Sequence, residues 1–253
     1  MGENKKRLND KVAIITGAAS GFGEGIARRF AEEGARVVIA DLNAESGARI
    51  AAEIGANAVS LRADVTSADD WKALVQEAID GFGRLDIVVN NAGYTHVNQP
   101  MLDVPESEYD RCYAVNVKAL YLSAMAAVPV FRSQGSGQFL NIASTAGVRP
   151  RPGLVWYNSS KSAAIGVTRS MAIELAAEGI RVNAINPVAG ETPLLTKFMG
   201  EDTPEKRAAF RASVPIGRLS TPSDIANAAL YLCSDEASML TGVCLEVDGG
   251  RCI

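Results

Sequence analysis

The chain has 253 residues, 47% hydrophobic and 21% charged, a composition of folded globular proteins and not of disordered or fibrous ones. A formal net charge of −4 excludes the clustered basic surface that nucleic-acid binding needs. One histidine and four cysteines without CxxC spacing exclude a Cys/His metal site. No apolar run reaches the length of a membrane span and no secretory leader is recognisable, so a cytoplasmic protein with free thiols and no membrane partner is expected.

In chain order, short β-branched runs alternate with longer amphipathic segments. Val12 to Thr16 precedes Gly23 to Glu33, Arg36 to Ala40 precedes Ala44 to Ile54, and Ala58 to Leu61 precedes Asp69 to Phe82. The pattern continues through Ile87 to Asn90, Gln138 to Ile142, Arg181 to Ile185 and Val243 to Val247, with a helix expected over Ser107 to Arg132 and another over Trp156 to Ala177. Such alternation predicts repeated βαβ units and a doubly wound parallel sheet of seven strands. Because runs such as Val12-Ala13-Ile14-Ile15 are apolar throughout, helices must cover both faces. No linker or repeat divides the chain, so a single domain over 1–253 is expected, with the proline-rich stretch around 188–221 as a lid.

The first strand runs into Thr16-Gly17-Ala18-Ala19-Ser20-Gly21-Phe22-Gly23 and then a helix. Glycines there allow a tight turn and close approach of a pyrophosphate to the helix N-terminus, where unpaired N–H groups favour an anion. Gly17, Ser20, Gly21, Phe22 and Gly23 are therefore candidate cofactor contacts. The second strand ends at Asp41, whose carboxylate can accept from both ribose hydroxyls and repels a 2′-phosphate; Leu42 beside it offers no cation. NAD is favoured over NADP, the competing reading of Asp41 being a cap for the helix near Asn43.

Tyr157 and Lys161 lie one helical turn apart and share a face. An ammonium beside a phenol lowers the phenol pKa and makes it a usable proton carrier. Ser144 follows the strand Gln138 to Ile142, at the sheet edge where open α/β sheets bind ligands, and its hydroxyl can bond a substrate carbonyl.

Thr16-Gly17-x-x-x-Gly21-x-Gly23, Asn90-Asn91-Ala92-Gly93, Asn116, Ser144 and Tyr157-x-x-x-Lys161, in this order, resemble the classical short-chain dehydrogenase/reductase family. The likeness extends to Gly217-Arg218-Leu219 and Asp248-Gly249-Gly250, and both 3-oxoacyl-carrier-protein reductases and sugar or polyol dehydrogenases share it. It implies a Rossmann-type fold and hydride transfer between NAD(H) and a small alcohol or carbonyl substrate. Tyr157 would be the general acid/base and Ser144 would polarise the carbonyl. Lys161 would lower the tyrosine pKa and bind the nicotinamide ribose, and Asn116 would hold a relay water. Asp64 and Val65 would meet adenine, Asn91, Ala92 and Gly93 would support the cofactor cleft, and the assembly would be a homotetramer. A non-catalytic NAD-binding protein on the same fold is the alternative from another class.

Where the family has Pro-Gly-x-Ile-x-Thr, this chain reads Pro187-Val188-Ala189-Gly190-Glu191-Thr192. Pro187 and Thr192 are retained as nicotinamide contacts and Gly190 is a backbone donor. The substrate wall is expected to combine Tyr94, His96, Met101, Val148, Trp156, Leu194, Leu195, Phe198 and Met199. Arg149 and Arg151 either receive an anion or are solvated loop residues.

Overall fold

A computed structural model describes residues 6–253. Seven parallel strands form one sheet in the order β3-β2-β1-β4-β5-β6-β7. They are β1 (Val12–Thr16), β2 (Arg36–Asp41), β3 (Ala58–Arg62), β4 (Ile87–Asn90), β5 (Gly137–Ile142), β6 (Ile180–Pro187) and β7 (Cys244–Val247). Each coincides with an expected run to within two residues. The chain winds outward from β1 to β3, then crosses to β4 on the other side of β1. That reversal opens a crevice at the C-terminal ends of β1 and β4.

Successive strand residues point to opposite faces, and both faces are apolar. Ile15, Ile39, Val89 and Ile185 meet Phe30 of α1 (Gly21–Glu32), Ile50 of α2 (Ala44–Ile54) and Ile225 and Leu230 of α9 (Pro222–Cys233). Ile14, Val38, Val88 and Val182 meet Trp71 and Leu74 of α3 (Ala68–Phe82), Phe131 of α5 (Ala119–Gln134) and Leu175 of α6 (Val155–Leu175). Two helical layers therefore sandwich the sheet, as the apolar strands require.

The expected helix over Ser107 to Arg132 is not regular. It consists of α4 (Glu106–Tyr113), a π turn over Ala114–Lys118 and α5, with Pro129 inside the last. The π turn carries Asn116; such bulges re-aim side chains and recur at functional sites. Taken together, 106–134 is long and apolar enough to cross a bilayer, with mean hydropathy 1.5 over its most apolar window. Leu122, Ala127 and Phe131 are buried in the core beside α3, whereas Tyr121 and Met125 on the same helix are exposed, so core packing takes up one face of this apolar run. Two short helices, α7 (Leu195–Met199) and α8 (Pro204–Ala212), complete the chain between β6 and α9.

Two motifs near the C-terminal end prove architectural. Arg218 makes a forked ion pair with Asp224, which also completes a reciprocal capping box with Thr221 at the start of α9. Asp248 accepts from the Gly250 and Cys252 amides (2.9 and 2.7 Å), closing a turn in which Gly249 and Gly250 both have positive φ.

Candidate active site

The crevice begins at Thr16, the last residue of β1. Its hydroxyl accepts from the Asn91 and Ala92 amides at 3.0 and 3.1 Å, while the Asn91 side chain donates to the Thr16 and Gly17 carbonyls at 2.8 and 3.1 Å. The loops after β1 and β4 are thereby tied together. Gly17 has φ +62°, and a Cβ there would lie 2.9 Å from the Ala92 Cα. At Gly23 a Cβ would collide with the Gly17 carbonyl, so that glycine sets how closely α1 approaches the loop. Ser20, the N-cap of α1, makes no side-chain bond to the first turn. The helix start therefore retains donors suited to an anion.

Asp41 braces this loop. Its carboxylate accepts from the Ala19 amide at 3.0 Å and the Asn43 amide at 2.9 Å, and it lines the crevice beside exposed Leu42. The cap of α2 is Asn43, which accepts from the Ser46 amide, so capping that helix is not the role of Asp41. Asp64 and Val65 line the same end, one Asp64 oxygen being held by the Thr66 amide and hydroxyl.

The chemical end is assembled by β5 and α6. Ser144 caps a short turn, its Oγ accepting from the Ala146 amide at 3.1 Å, and it lies within hydrogen-bonding reach of the Tyr157 phenol. Tyr157 and Lys161 are each 5% exposed. The Lys161 ammonium donates to the Ile142 carbonyl at 2.8 Å and stands 5.9 Å from the Tyr157 ring centroid.

Burial disfavours the charged form of each. The phenol is pushed up to about 12, with the Ser144 hydrogen bond and the Arg151 charge opposing the rise, and Lys161 is pushed down to about 8. The sequence expectation that Lys161 brings the phenol pKa down is thus not met in this geometry. Lys161 is not among the groups that move the phenol, its ammonium being engaged by the β5 backbone.

Asn116 is 3% exposed and does not line the crevice. It accepts from the Tyr94 amide (2.9 Å) and donates to the Tyr94 carbonyl (2.8 Å) and Ser160 Oγ (2.9 Å). Ser160 in turn donates to the Tyr157 carbonyl at 2.8 Å. Asn116 thus ties the loop after β4 to the tyrosine helix. A Cβ on Gly93 would lie 3.6 Å from both Asn116 Oδ1 and Lys161 Nζ, so the absent side chain leaves open the space those two groups flank. Such a cradle, with the glycine loop and Asp41 opposite, fits a dinucleotide.

Pro187, Gly190 and Thr192 line the crevice across from the glycine loop. A Cβ on Gly190 would run into the Phe22 ring, and a Cβ on Gly21 would meet the Thr192 methyl at 3.3 Å. The missing side chain at Gly190 therefore leaves the room that the Phe22 ring fills from the other side of the crevice. The segment itself is clamped to Ser220, whose carbonyl accepts from the Glu191 amide and whose hydroxyl donates to the Val188 carbonyl.

The substrate wall differs from expectation. Tyr94, Leu194 and Phe198 line it, joined by Phe210, Arg111 and Arg151. Leu195 and Met199 instead pack inward on Val188, Val214 and Leu219. Met101 and Val148 face solvent, and Trp156 sits edge-on to Tyr109. His96 is buried behind the wall with its Nδ1 on the Val97 carbonyl. Of the two loop arginines, Arg149 is exposed and donates to the Arg251 carbonyl at 2.6 Å, whereas Arg151 enters the crevice. Ser160, Arg111 and Phe210 were not singled out from sequence. Ser160 adjoins Lys161, but no pattern marked Phe210, which arrives from α8.

Comparison with known proteins agrees with this geometry. A family model described as enoyl-(acyl carrier protein) reductase matches residues 17–251. The 4-formylbenzenesulfonate dehydrogenase of Comamonas testosteroni is 53% identical over 96% of this chain and 98% of its own length. Galactitol 2-dehydrogenase of Agrobacterium fabrum is 40% identical over 97% of this chain and 98% of its own. The crystal structure of a 3-ketoacyl-(acyl-carrier-protein) reductase from Brucella melitensis, complexed with NADH, superposes with a TM-score of 0.92 at 50% identity, covering 97% of this chain and all of that one. The glycine loop, the Ser144–Tyr157–Lys161 cluster and these whole-chain likenesses converge: the chain belongs to the short-chain dehydrogenase/reductase family, oxidoreductases that act on CH–OH groups.

Proposed function

We propose that the chain is an NAD(H)-preferring oxidoreductase interconverting an alcohol and its carbonyl, with Tyr157, Ser144 and Lys161 as its chemical machinery and Asn116 positioning it. The observation that carries this reading is the convergence of Ser144 and Tyr157, both on the crevice wall, with the glycine loop across the same opening. The NADH named with the Brucella structure supports the cofactor assignment. When bound, the nicotinamide supplies the hydride acceptor or donor.

The protein's part is positioning and proton handling. Ser144 donates to the substrate oxygen and orients it toward the phenol. Tyr157 holds its proton at neutral pH, so it is ready to donate to a carbonyl oxygen as that becomes an alkoxide; in oxidation it must accept the alcohol proton, which higher pH favours. Lys161 presents donors toward the space above Gly93, where a ribose hydroxyl fits. Asn116 is a positioning residue that holds Tyr94 and, through Ser160, the Tyr157 backbone. Asp41 selects NAD by accepting from the ribose and repelling a 2′-phosphate.

The chain would work as one domain in which 188–221 is the lid; its Phe198 ring packs tilted against the Tyr157 ring, 5.1 Å between centroids. A cytoplasmic homotetramer is the expected form, and the apolar side chains left exposed on α5 (Tyr121, Met125) and α6 (Ile173) support the assembly. Carrier-protein reductase activity is the second reading, favoured by the Brucella likeness. Following NADH or NADPH formation from a panel of benzylic, cyclic and polyol alcohols, with NAD and with NADP, tests the assignment. A chain that binds NADH but turns over none of them, nor 3-oxoacyl thioesters, would be a binding protein instead.

A further inference from the structure

The crevice wall includes an arginine, Arg151, with no carboxylate partner among the described residues. Arg151 lies in the loop between Ser144 and Tyr157, lines the opening, and stacks its guanidinium 4.5 Å over the Phe210 ring of α8. Its Nη2 is buried without a hydrogen-bond partner among the described residues. The titratable groups its charge feels are Arg251, Cys252 and Tyr157, with no carboxylate among them. Burial and the neighbouring Arg251 push its pKa down to about 10, which still leaves it charged at neutral pH.

A half-buried cation with no counter-ion carries a desolvation cost, and other arginines of this chain show the usual remedy: Arg218 and Arg84 each fork onto an aspartate. The backbone that carries Arg151 is held in place. Its carbonyl accepts from Asn158 Nδ2 at 2.8 Å, fixing the loop to the residue beside Tyr157. The turn that follows is pinned on its other side, Asn98 donating to the Pro152 carbonyl and the Gln99 amide to the Gly153 carbonyl, both at 3.1 Å.

Resting on the dehydrogenase reading, we propose that Arg151 anchors an oxyanion carried by the substrate, a carboxylate or sulfonate at the end of the molecule away from the reacting carbon. The guanidinium supplies a planar fork that matches such a group, and the Phe198 and Phe210 rings flank an apolar body between anchor and phenol. An aryl or cyclic alcohol or aldehyde bearing one anionic substituent is the substrate class these features fit.

The test compares 4-formylbenzoate with its neutral counterpart 4-formylbenzamide, using NADH and either wild type or Arg151→Gln. Wild type is expected to show a KM lower for the carboxylate by about tenfold or more. In Arg151→Gln that ratio should collapse to near unity through the KM of the carboxylate, and Arg151→Lys should restore part of it. Equal KM values in wild type, or a variant that keeps the ratio and loses kcat on both aldehydes alike, would overturn the anchor; the latter result would make Arg151 an electrostatic partner of Tyr157.

Calorimetric binding of the unreactive pair 4-methylbenzoate and 4-methylbenzamide, with NADH present, separates the two levels of inference. Carboxylate-selective binding that disappears in Arg151→Gln supports the anchor even if neither aldehyde is reduced, an outcome that counts against the dehydrogenase reading alone. Turnover without carboxylate selectivity overturns the anchor alone. Should the variant fail to fold, the wild-type ratio decides.

Discussion

The two ends of the crevice answer their polar groups differently. At the glycine-loop end, Thr16, Asn91 and Asp41 are bonded to the backbone around them before any ligand arrives. At the substrate end, the wall is made of aromatic rings and a guanidinium with a buried, unpartnered nitrogen. Internal satisfaction produces a rigid cradle whose shape is set in advance, which suits a ligand that is always the same. Unanswered groups leave the selectivity to whichever substrate completes them.

Tyr157 lies between the two ends, and its removal should separate them most sharply. Tyr157→Phe keeps the ring that packs on Phe198 and deletes the proton carrier. Turnover should fall by about two to four orders of magnitude, with NADH affinity within a few-fold of wild type by fluorescence titration. A phenylalanine variant with near-normal turnover would move the chemistry elsewhere. In wild type, the oxidation rate should rise with pH because burial keeps the phenol protonated at neutrality. That rise should be missing from any residual activity of the variant.

Asp41→Ala probes the cradle alone. It removes the charge that opposes a 2′-phosphate and also frees the Ala19 amide, so the NAD-over-NADP ratio of kcat/KM should drop by about ten- to a hundredfold, chiefly through a poorer KM for NAD. Equal use of the two cofactors by the unmodified protein would refute the assignment directly. A smaller effect is expected at the seam where the two ends meet. Gly190→Ile should weaken NADH binding by roughly tenfold, because its side chain must displace the Phe22 ring. Phe22→Ile added to it should recover most of the loss, and a double variant no better than the single one would show that the two positions are not paired.

The same division explains what could be read in advance. The sheet was legible because its strands are short, apolar and evenly interrupted, and the cradle because its glycines, Asp41 and the Asn91 run sit just after strands, where local sequence dictates local backbone. Ser144, Tyr157 and Lys161 were legible through one helical turn and one strand end. The wall was not. Leu195 and Met199 face inward while Phe198 between them faces the crevice, a choice made by packing on Val188, Val214 and Leu219. Phe210 reaches the site from α8, far along the chain from the chemistry. The direction of the tyrosine shift was also hidden, since it depends on how completely the phenol and the ammonium are buried and not on their spacing.

Lys161 offers the smallest effect and the clearest contrast between what holds the fold together and what serves the site. Its folded pKa of about 8 lies below the ordinary 10.5, so the folded state resists its charge. Below about pH 8 the group is protonated in both states, and the fold bears a cost on the order of 3 kcal/mol. Between about 8 and 10.5 the unfolded chain binds more protons than the folded one, so stability rises with pH across that window. Lys161→Met keeps the length of the side chain and removes the charge. It also leaves the Ile142 carbonyl without its donor, which costs about 1–2 kcal/mol. The balance at pH 7 is a gain of about 1–2 kcal/mol, or a Tm higher by roughly 2–8 °C, in a protein that has lost its activity. At pH 10.5 the cost being relieved has largely gone, so the variant should melt no higher than wild type there. Thermal melts of both proteins at the two pH values, without cofactor, check the sign. A variant less stable than wild type by the same amount at both would mean that the buried ammonium serves the fold, and its retention would then need no functional explanation.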